Sequence, residues 1–395
     1  MKLILVANPG SSSRKYAVYE ADGMKLRAEL HFEPMAGKVT CSLDDGQQSH
    51  EVAVDVGDIK ESATVLMNVL TSQKVLATDD TIAAIGLRVV APSAYFMQDH
   101  VMNDEVVEKL ESIEQLAPLH IAATLGELKY LRSLLADTPI VGVSDSAFHR
   151  TKPNYAWNYG INIKDADKFD IKRFGYHGIS TSSAINQLWK RGKLPPKVIV
   201  CHLGSGSSIT GVFHGRSIDT TMGFTPNEGV IMATRTGSIS PDATAALKTQ
   251  LQLDDAGLTD YLNKKSGLQG MAGSSDIREL LEREADGDHM ANLALTTLVH
   301  TIHKAIGGML VAMNGCDLLV FTGTVGERSS IIRKRIVAHL EFADFMLNGN
   351  LNEDCTHPEV LTSISQPGGS KPIIVIPTDE GSEIAHHTSA LVDIR

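Results

Sequence analysis

The sequence predicts an α/β protein made of two related halves, and three observations support this. Short apolar runs typical of buried strands alternate with segments whose apolar residues recur at helical spacing. A strand followed by a turn rich in glycine and serine opens the chain, as K-L-I-L-V-A and then N-P-G-S-S-S. The same plan returns near the middle, as V-I-V-C-H-L and then G-S-G-S-S. The length of 395 residues suits two or three domains of roughly 150 residues each.

In the first half, strands and helices are predicted in alternation. Residues 2–7 and 15–19 form the two strands of the first hairpin, and residues 81–90 and 139–145 read as buried strands. Two helices are predicted from apolar residues at helical spacing, namely Val65, Leu66, Val69 and Leu70 for one and Leu125, Leu128, Leu131 and Leu135 for the other.

In the second half, residues 198–203 begin a second hairpin, and further strands follow at 209–215 and near 216–219. A helix over 182–191 stops at Gly192, and Ser240 with Pro241 suits the start of another. A long helix ends at Asn314 and Gly315, before a buried strand at 316–323. Since ligands of such folds bind where strand ends and turns converge, a cleft between the two domains is the predicted site.

Composition excludes several partners. The chain has 36 Lys+Arg and 47 Asp+Glu, a formal net charge of −11, and no block of basic residues, which opposes binding to nucleic acid or to an anionic membrane. The longest apolar stretch, 293–313, is interrupted by His300, His303 and Lys304, so no membrane span is predicted. Four widely separated cysteines predict buried free thiols, and the short apolar N-terminus is unlike a signal peptide, so a cytoplasmic location is expected.

The two glycine-serine turns, 10–13 and 204–208, are candidate anion sites. Small residues let backbone N–H groups and hydroxyls face a phosphate directly. Lys15, two residues after Ser13, would add a positive charge there. Neither turn matches the Walker pattern, and ordinary hairpin turns with a solvated lysine remain the alternative.

A longer set of motifs gives the chain a family resemblance. These are N-P-G-S-S-S-R-K at 8–15, G-L-R-V-V at 86–90, A-P-L-H at 117–120, S-D-S-A-F-H at 144–149, F-G-Y-H-G at 174–178, H-L-G-S-G-S-S at 202–208, M-G-F-T-P-N-E-G-V-I-M-A-T-R-T-G at 222–237, S-S-D-I-R at 274–278, F-T-G-T-V-G-E at 321–327 and P-T-D-E at 377–380. In this order they resemble the acetate and propionate kinase family over nearly the whole chain.

The resemblance implies a fold, a reaction and its cofactors. It implies two duplicated actin-like (ribonuclease H-like) domains with an interdomain active-site cleft, the first at 1–150 completed by 380–395 and the second, nucleotide-binding, at 151–379. It implies an acetate kinase-type enzyme that uses ATP and Mg²⁺, with Mn²⁺ as an alternative metal. Such an enzyme phosphorylates a short-chain carboxylate, foremost acetate, to an acyl phosphate by reversible direct in-line transfer. A homodimer is implied as well.

The resemblance also assigns roles to matching residues. The catalytic group comprises Arg88, Asp145, His177 and Arg235. The nucleotide group comprises Ser11, Ser13, Lys15, His202, Leu203, Gly204, Ser205, Gly206, Asp276, Ile277, Arg278, Thr324, Val325, Gly326, Glu327 and Arg328. Asn8 and Glu380 are implied at the metal, and Arg88, Val90, Leu119, Tyr176 and Pro226 at the substrate pocket.

Elementary electrostatics supports part of this assignment. A carboxylate is already anionic at neutral pH, so no general base is needed. The obstacle is repulsion between two anions, roughly 4 kcal/mol for unit charges about 4 Å apart at an effective dielectric of 20. Arg88, His177 and Arg235 would neutralise this charge. Asp145 is then predicted to orient magnesium, its waters or an arginine, and not to remove a proton.

The chain departs from the family pattern at several loops. The loop after Arg88, Ala91–Ser93, contains Pro92 and leaves substrate choice open. Ser205, Ser238 and the predicted loop Thr324–Arg328 alter the nucleotide region, and the hydroxyl of Tyr176 would disfavour longer acids if it pointed into the pocket. The alternatives are a catalytically weakened nucleotide-binding or regulatory protein, a kinase for another small acid such as propionate, and a kinase for a hydroxyl substrate with Asp145 as base.

Two further sets of residues receive structural interpretations. The pairs His300 with His303 and His386 with His387 are expected on helix surfaces. Met222 and Met232 are expected to pack in the core.

Overall fold

The computed structural model describes residues 1–10, 13–35 and 38–394, with the main chain alone at residue 119. The strands are β1 (Lys2–Pro9), β2 (Arg14–Glu20), β3 (Leu26–Met35), β4 (Lys38–Asp44), β5 (Ser49–Val52), β6 (Thr81–Val89), β7 (His100–Val101), β8 (Ile140–Ser144), β9 (Lys197–Leu203), β10 (Ser207–Phe213), β11 (Arg216–Thr220), β12 (Leu318–Thr322), β13 (Thr362–Ser363) and β14 (Ile373–Val375).

The helices alternate with these strands along the chain. They are α1 (Ser62–Ser72), α2 (Asp104–Glu111), α3 (Pro118–Leu134), α4 (Asn154–Trp157), α5 (Ile163–Lys168), α6 (Gly178–Lys190), α7 (Pro241–Gln250), α8 (Asp255–Lys264), α9 (Gly267–Ala272), α10 (Ile277–Ala285), α11 (His289–Ala312), α12 (Gly323–Arg328), α13 (Ser330–Val337), α14 (Gly349–Asp354) and α15 (Glu380–Leu391).

The chain divides into two compact units. Unit 1 comprises Met1–Ala147 together with Asp379–Arg395, and unit 2 comprises Phe148–Thr378. Each unit has its own sheet and its own hydrophobic core. The last helix of the chain, α15, therefore belongs with the first half of the sequence.

The sheet of unit 1 has the strand order β5-β4-β3-β2-β1-β6-β8-β7. β1 is antiparallel to β2 and parallel to β6, which is in turn parallel to β8. The carboxyl ends of β1, β6 and β8 therefore meet at one edge of the sheet. Asn8, Arg88 and Asp145 lie at that edge, because each stands at or directly after the end of one of these strands.

Helix α15 packs against β1, β6 and β8. Gly86 in β6 makes the close approach feasible, since a Cβ there would lie 2.3 Å from Thr388 Oγ1 and 2.6 Å from Ile384 Cγ2. Real Cβ atoms do not come this close to other heavy atoms, so glycine is required for the helix to seat as it does. The core of unit 1 also includes Leu5 from the sheet and Leu66 and Leu131 from α1 and α3.

The sheet of unit 2 has the order β11-β10-β9-β12-β14-β13. β9 is antiparallel to β10 and parallel to β12, and β12 is parallel to β14. This repeats the order and directions of β3-β2-β1-β6-β8 in unit 1. The predicted α/β class and duplicated actin-like (ribonuclease H-like) design are confirmed, whereas the interdomain cleft stays a prediction. The core of unit 2 packs the long helix α11 against its sheet, through residues such as Leu295, Ile302 and Phe321.

Several local predictions are confirmed, and others are wrong. Both hairpins form, Ser240 caps α7, and the four cysteines are free and buried. Helix α6 begins four residues earlier than predicted, because its first turn, 178–181, has a single apolar residue, Ile179, and so shows no apolar spacing of its own. Met222 and Met232 are buried, as predicted. Among the described residues, no helix is long and apolar enough to span a membrane.

The segment Thr324–Arg328 is helical, so its prediction as a loop is wrong. The carboxylate of Glu327 accepts a hydrogen bond of 3.0 Å from the backbone N–H of Gly323, at the start of α12. A side chain in the last turn thus accepts a hydrogen bond from a backbone donor of the first turn. The sequence does not indicate this support, because the glycines give the segment a low helix propensity.

Candidate active site

In unit 1, four polar side chains form a continuous hydrogen-bonded row, here called the Arg88 row. Arg88 Nη2 donates to Asp145 Oδ2 at 2.8 Å, and Arg88 Nη1 donates to Asn8 Oδ1 at 3.1 Å. Asn8 Nδ2 donates to Glu380 Oε2 at 2.7 Å. The row runs along the carboxyl edge of β1, β6 and β8 to the first residue of α15. Four predicted site residues are therefore brought together: Asp145, Arg88, Asn8 and Glu380.

The formal net charge of the Arg88 row is negative. Burial disfavours the charge of Arg88, but the carboxylates of Asp145 and Glu380 outweigh it and raise the pKa of Arg88 above its ordinary value. The guanidinium is therefore always cationic. One formal positive charge faces two carboxylates, so the row favours a further cation.

The oxygen atoms of the row suit magnesium. Mg²⁺ takes oxygen ligands, usually keeps several waters, and is held by one or two carboxylates together with substrate phosphates. Asn8, Asp145 and Glu380 offer an amide oxygen and carboxylate oxygens of this kind. In the described part of the chain there is no cluster of three or more His, Cys, Asp or Glu able to hold a metal. The donor set of the row nevertheless fits a magnesium ion whose remaining ligands are water and phosphate.

The loop after β6 does not disturb Arg88. Val90 and Ala91 are buried, and Ser93 Oγ accepts a hydrogen bond of 3.2 Å from the backbone N–H of Tyr95, which fixes the loop locally. Arg88 is held between Asn8 and Asp145 although Pro92 follows.

The first glycine-serine turn is described in part. Gly10 N donates to Ser13 O at 2.9 Å, which closes the turn, and Ser11 lies outside the described residues. Lys15 pairs in register with Asn8 across β1 and β2, and its exposed ammonium lies 3.8 Å from Glu29 Oε1. The main chain at Lys15 thus adjoins the Arg88 row, while its side chain extends toward Glu29.

In unit 2, the imidazoles of His177 and His202 lie side by side with ring centroids 4.2 Å apart. Nδ1 of His177 is 3.0 Å from Ser208 Oγ, and Nδ1 of His202 is 2.8 Å from Ser180 Oγ. Each serine fixes the ring orientation of one histidine. His177 has φ of 58° and directly precedes α6, which turns its side chain toward the second glycine-serine turn.

Gly206 in that turn is the point where His177 and Arg235 meet. A Cβ at residue 206 would lie 3.1 Å from His177 Nε2 and 3.3 Å from Arg235 Nη1. The absence of a side chain therefore lets both donors approach the same turn. Arg235 Nη1 also donates to the carbonyl oxygen of Pro226 at 3.2 Å, which ties the arginine to the 222–229 loop.

The predicted substrate-pocket residues are distributed over both units. Val90 is buried in unit 1, and the side chain of Leu119 lies outside the described residues. In unit 2, Pro226 is buried and Tyr176 is fully buried. The Tyr176 hydroxyl donates to the carbonyl oxygen of Phe224 at 2.6 Å, so it stabilises the loop that carries Pro226.

A cavity of about 730 Å³ lies within unit 2, at the carboxyl ends of β9 and β12. Three predicted nucleotide segments contribute to its wall: Leu203, Gly204 and Ser205 from the first, Asp276, Ile277 and Arg278 from the second, and Thr324, Val325 and Arg328 from the third. Met232 and apolar residues that the sequence did not single out complete it, including Leu268, Leu298 and Ile302. The volume and the mixed lining are typical of a site for a small molecule or cofactor.

The mouth of this cavity carries an ion pair. Asp276 caps α10 by accepting a hydrogen bond of 2.8 Å from the backbone N–H of Arg278, and its carboxylate lies 2.7 Å from Arg278 Nη2. Hydrogen bonding from the Arg278 side chain lowers the pKa of Asp276. The Arg278 side chain is largely exposed.

Four residues of the predicted nucleotide segments do not line the cavity, namely His202, Gly206, Gly326 and Glu327. Glu327 Oε1 accepts hydrogen bonds from Gly323 N, Thr378 N and Thr378 Oγ1 at 3.0, 2.9 and 2.6 Å. Glu327 therefore braces the main chain behind the cavity wall.

Arg333 is a buried charge that sequence reasoning missed. Within the described part of the chain its guanidinium donates to oxygens of neutral groups, including the carbonyls of Gly326 and Glu327 at 2.9 and 2.8 Å and that of Cys355 at 2.6 Å. Burial lowers its pKa. Arg333 thereby anchors the C-terminal end of α12. No local pattern distinguishes it from a surface arginine.

His387 is a second missed residue. His300 and His386 are exposed, but Nδ1 of His387 lies 2.7 Å from Asp99 Oδ2, so the prediction of a plain surface position is wrong for His387. The two partners are 288 residues apart in the chain, and no sequence spacing signals their contact.

Comparison with known proteins identifies the family of the chain. The model of the "Acetokinase family" matches residues 3–386. The acetate kinase of Carboxydothermus hydrogenoformans is 36% identical over 406 residues, covering 98% of this chain and 99% of that protein. The acetate kinase of Lachnoclostridium phytofermentans is 38% identical over 405 residues, covering 98% of this chain and 100% of that protein.

Solved structures give the same result for the fold. A propionate kinase from Francisella tularensis superposes with a TM-score of 0.89 at 34% identity, covering 99% of this chain and 100% of its own. The acetate kinase of Porphyromonas gingivalis superposes with a TM-score of 0.85 at 31% identity, again covering 99% of this chain and 100% of its own. The resemblance drawn from the motifs is thereby confirmed, and the chain belongs to the acetokinase family.

Proposed function

We propose that the protein is an acetate kinase that transfers the γ-phosphoryl group of ATP to acetate, reversibly, giving acetyl phosphate and ADP. The observation that carries this proposal is the meeting of His177 and Arg235 at Gly206, one residue from Ser205 in the wall of the cavity. Two donors aimed at one turn beside a cavity of nucleotide size suit a phosphoryl group at the end of a bound nucleotide. The named relatives supply the substrate class.

The chemistry needs charge neutralisation more than proton transfer. The acetate carboxylate is the nucleophile, and its oxygen forms a bond to phosphorus as the bond to the ADP oxygen breaks. Arg88 neutralises the incoming carboxylate, while His177 and Arg235 donate to the equatorial oxygens of the transferring group.

Asp145 is proposed as an orienting residue. Its Oδ2 accepts from Arg88 at 2.8 Å, which aims the guanidinium and keeps the carboxylate paired with a cation. A carboxylate stabilised in this way is a poor base, and this disfavours a hydroxyl substrate that would need deprotonation.

The Arg88 row is proposed to hold the magnesium ion. Asn8, Asp145 and Glu380 would contribute oxygen ligands directly or through water, with Mn²⁺ as the alternative metal. When bound, the ion lowers the negative charge of the nucleotide phosphates. Lys15 and the Gly10–Ser13 turn would add donors toward the same phosphates.

The cavity of unit 2 is proposed to hold the nucleoside. Its apolar wall suits a purine face, and Arg278 and Arg328 supply charge at its rim. The proposed functional domains are residues 1–150 completed by 380–395, and residues 151–379 as the nucleotide-binding domain. A homodimer and a cytoplasmic location are part of the same proposal.

Propionate is the second candidate acid, because the propionate kinase from Francisella tularensis superposes over nearly the whole chain. The Tyr176 hydroxyl gives no reason to exclude a longer alkyl group, since it is engaged by the Phe224 carbonyl.

A hydroxylamine trap tests the proposal directly. The purified protein is incubated with ATP, Mg²⁺ and hydroxylamine, and with formate, acetate, propionate, butyrate or glycolate in turn. Hydroxamate formation is expected to be fastest with acetate and to require both ATP and metal. Binding of ATP without hydroxamate from any acid would contradict the proposal and support a nucleotide-binding regulatory protein, and a higher kcat/KM for propionate would reassign the substrate.

A further inference from the structure

Helix α15 has a second connection to β8, besides the Arg88 row. The helix begins at Glu380, and two turns later His387 Nδ1 lies 2.7 Å from Asp99 Oδ2. The other carboxylate oxygen of Asp99, Oδ1, accepts a hydrogen bond of 2.8 Å from the backbone N–H of Ser144. Ser144 ends β8 and directly precedes Asp145. Asp99 therefore joins the helix that begins at Glu380 to the strand that directly precedes Asp145.

The environment of His387 requires its charged form. Glu383 Oε1 lies 3.3 Å from Nε2 of His387, so both ring nitrogens face carboxylates. A neutral imidazole has only one N–H and can donate to only one of them. The hydrogen bonds to Asp99 and then to Glu383 raise the pKa of His387 to about 10. The imidazolium therefore bridges both carboxylates at neutral pH.

Two different kinds of contact hold α15 on the sheet. Thr388, the residue after His387, packs so tightly over Gly86 that the helix lies flush on β6. Such packing resists displacement away from the sheet, whereas the directional contact from His387 to Asp99 opposes sliding along it. None of Asp99, Glu383 or His387 belongs to the Arg88 row.

We propose that Asp99 and His387 are positioning residues whose ion pair fixes α15 against the end of β8 and so sets the spacing of Glu380 from Asp145. The inference rests on the proposed function for the metal role of Glu380. It predicts that the pair governs metal affinity without contacting the metal, as outer partners of metal ligands commonly do.

The test measures metal binding without turnover. Mn²⁺ is titrated into the complex of the protein with ADP and followed by the loss of the free-ion electron paramagnetic resonance signal. The variants are Asp99→Asn, which keeps an acceptor for the Ser144 N–H, His387→Gln, and the double variant. His386→Gln, at an exposed neighbouring position of the same helix, is the matched control.

Asp99→Asn and His387→Gln are each expected to weaken Mn²⁺ binding roughly 10-fold, as for an outer partner of a metal site. The metal-free affinity for ADP should stay unchanged, because the cavity is formed by residues of unit 2. The double variant should bind Mn²⁺ no more weakly than the single variant with the lower affinity, since the two residues act as one unit. His386→Gln should bind Mn²⁺ like the parent protein.

Mn²⁺ affinities within twofold of the parent in both single variants, whatever their melting temperatures, would overturn the inference and leave a purely structural ion pair. If His387→Gln melts below the assay temperature, the near-isosteric Asp99→Asn decides the question alone. Failure of the proposed function is distinguishable, because it would appear as absence of hydroxamate in the parent protein.

Discussion

The two units share a strand order but present different chemistry at the ends of their strands. In unit 1 the ends of β1, β6 and β8 carry charged and amide side chains that hold one another in the Arg88 row. In unit 2 the ends of β9 and β12 carry glycines and small residues, beside a cavity with a mixed polar and apolar lining. The shared strand order fixes where a site lies in each unit. The residues at the strand ends decide whether that site suits a metal and a carboxylate or a nucleotide.

The largest expected effect is the loss of the central cation of unit 1. Arg88→Ala removes the guanidinium that is proposed to neutralise the acid, and with it the ion pair between Arg88 and the buried Asp145. We expect kcat for acyl phosphate formation to fall roughly 10²- to 10³-fold, as for loss of a charge-stabilising donor. The hydroxamate assay measures it.

Arg132→Ala is the control for Arg88→Ala, because Arg132 forms an exposed ion pair with Asp104 in the same unit. It should retain the parent rate. A normal kcat in Arg88→Ala would show that the charged row of unit 1 takes no part in the reaction.

A smaller effect is expected from crowding the turn of unit 2. In Gly206→Ala the new methyl group would lie 3.1 Å from His177 Nε2 and 3.3 Å from Arg235 Nη1, so one or both donors must shift by a few tenths of an ångström. Because transition-state donors are sensitive to small displacements, we expect kcat to fall about 10-fold with little change in the KM for ATP. Steady-state kinetics separates the two constants.

Gly308→Ala, in helix α11, is the matched substitution, since a Cβ there meets nothing within 4 Å. If Gly206→Ala and Gly308→Ala behave alike, His177 and Arg235 do not act together at this turn.

The smallest effect concerns stability and its dependence on pH. The pKa of His387 is about 10 in the folded chain and roughly 6.5 in an unfolded one. A raised folded pKa means that the stabilisation is complete below about pH 6.5 and is lost as the pH rises through about 10. The free energy of unfolding of the parent should exceed that of His387→Gln most at pH 6.5, and the difference should vanish near pH 10.

Urea denaturation from pH 6 to pH 10 gives this difference, with His386→Gln again as control. A difference that stays constant over this range would mean that His387 acts through packing and not through its charge.

Sequence patterns predicted the strand framework well because apolar runs and turn residues are local signals. The hairpins β1–β2 and β9–β10 and the cap of α7 at Ser240 all depend on neighbouring residues. Helix α12 was missed, because two glycines lower its propensity and the Glu327 carboxylate that supports it acts only in the folded chain.

In the candidate site, too, some features could be predicted from the sequence and others could not. Asn8, Arg88 and Asp145 were assigned to one site through the family resemblance, and the parallel strands β1, β6 and β8 bring them to one edge of the sheet. The contact of Asp99 with His387 joins residues 288 positions apart. The backbone carbonyl oxygens around Arg333 come from two separate segments, 326–327 and 352–355. Such contacts come from tertiary packing, which no spacing rule encodes.

In the proposed mechanism Arg88, His177 and Arg235 all neutralise charge during the phosphoryl transfer. The most direct measurement is the affinity for a transition-state mimic formed from Mg·ADP, aluminium fluoride and acetate, compared in the parent, Arg88→Ala and Arg235→Ala. We expect the mimic to bind tightly to the parent, and either substitution should abolish the tight binding while ADP alone still binds. Tight binding that survives Arg88→Ala and is lost only in Arg235→Ala would show that Arg88 takes no part in the transfer.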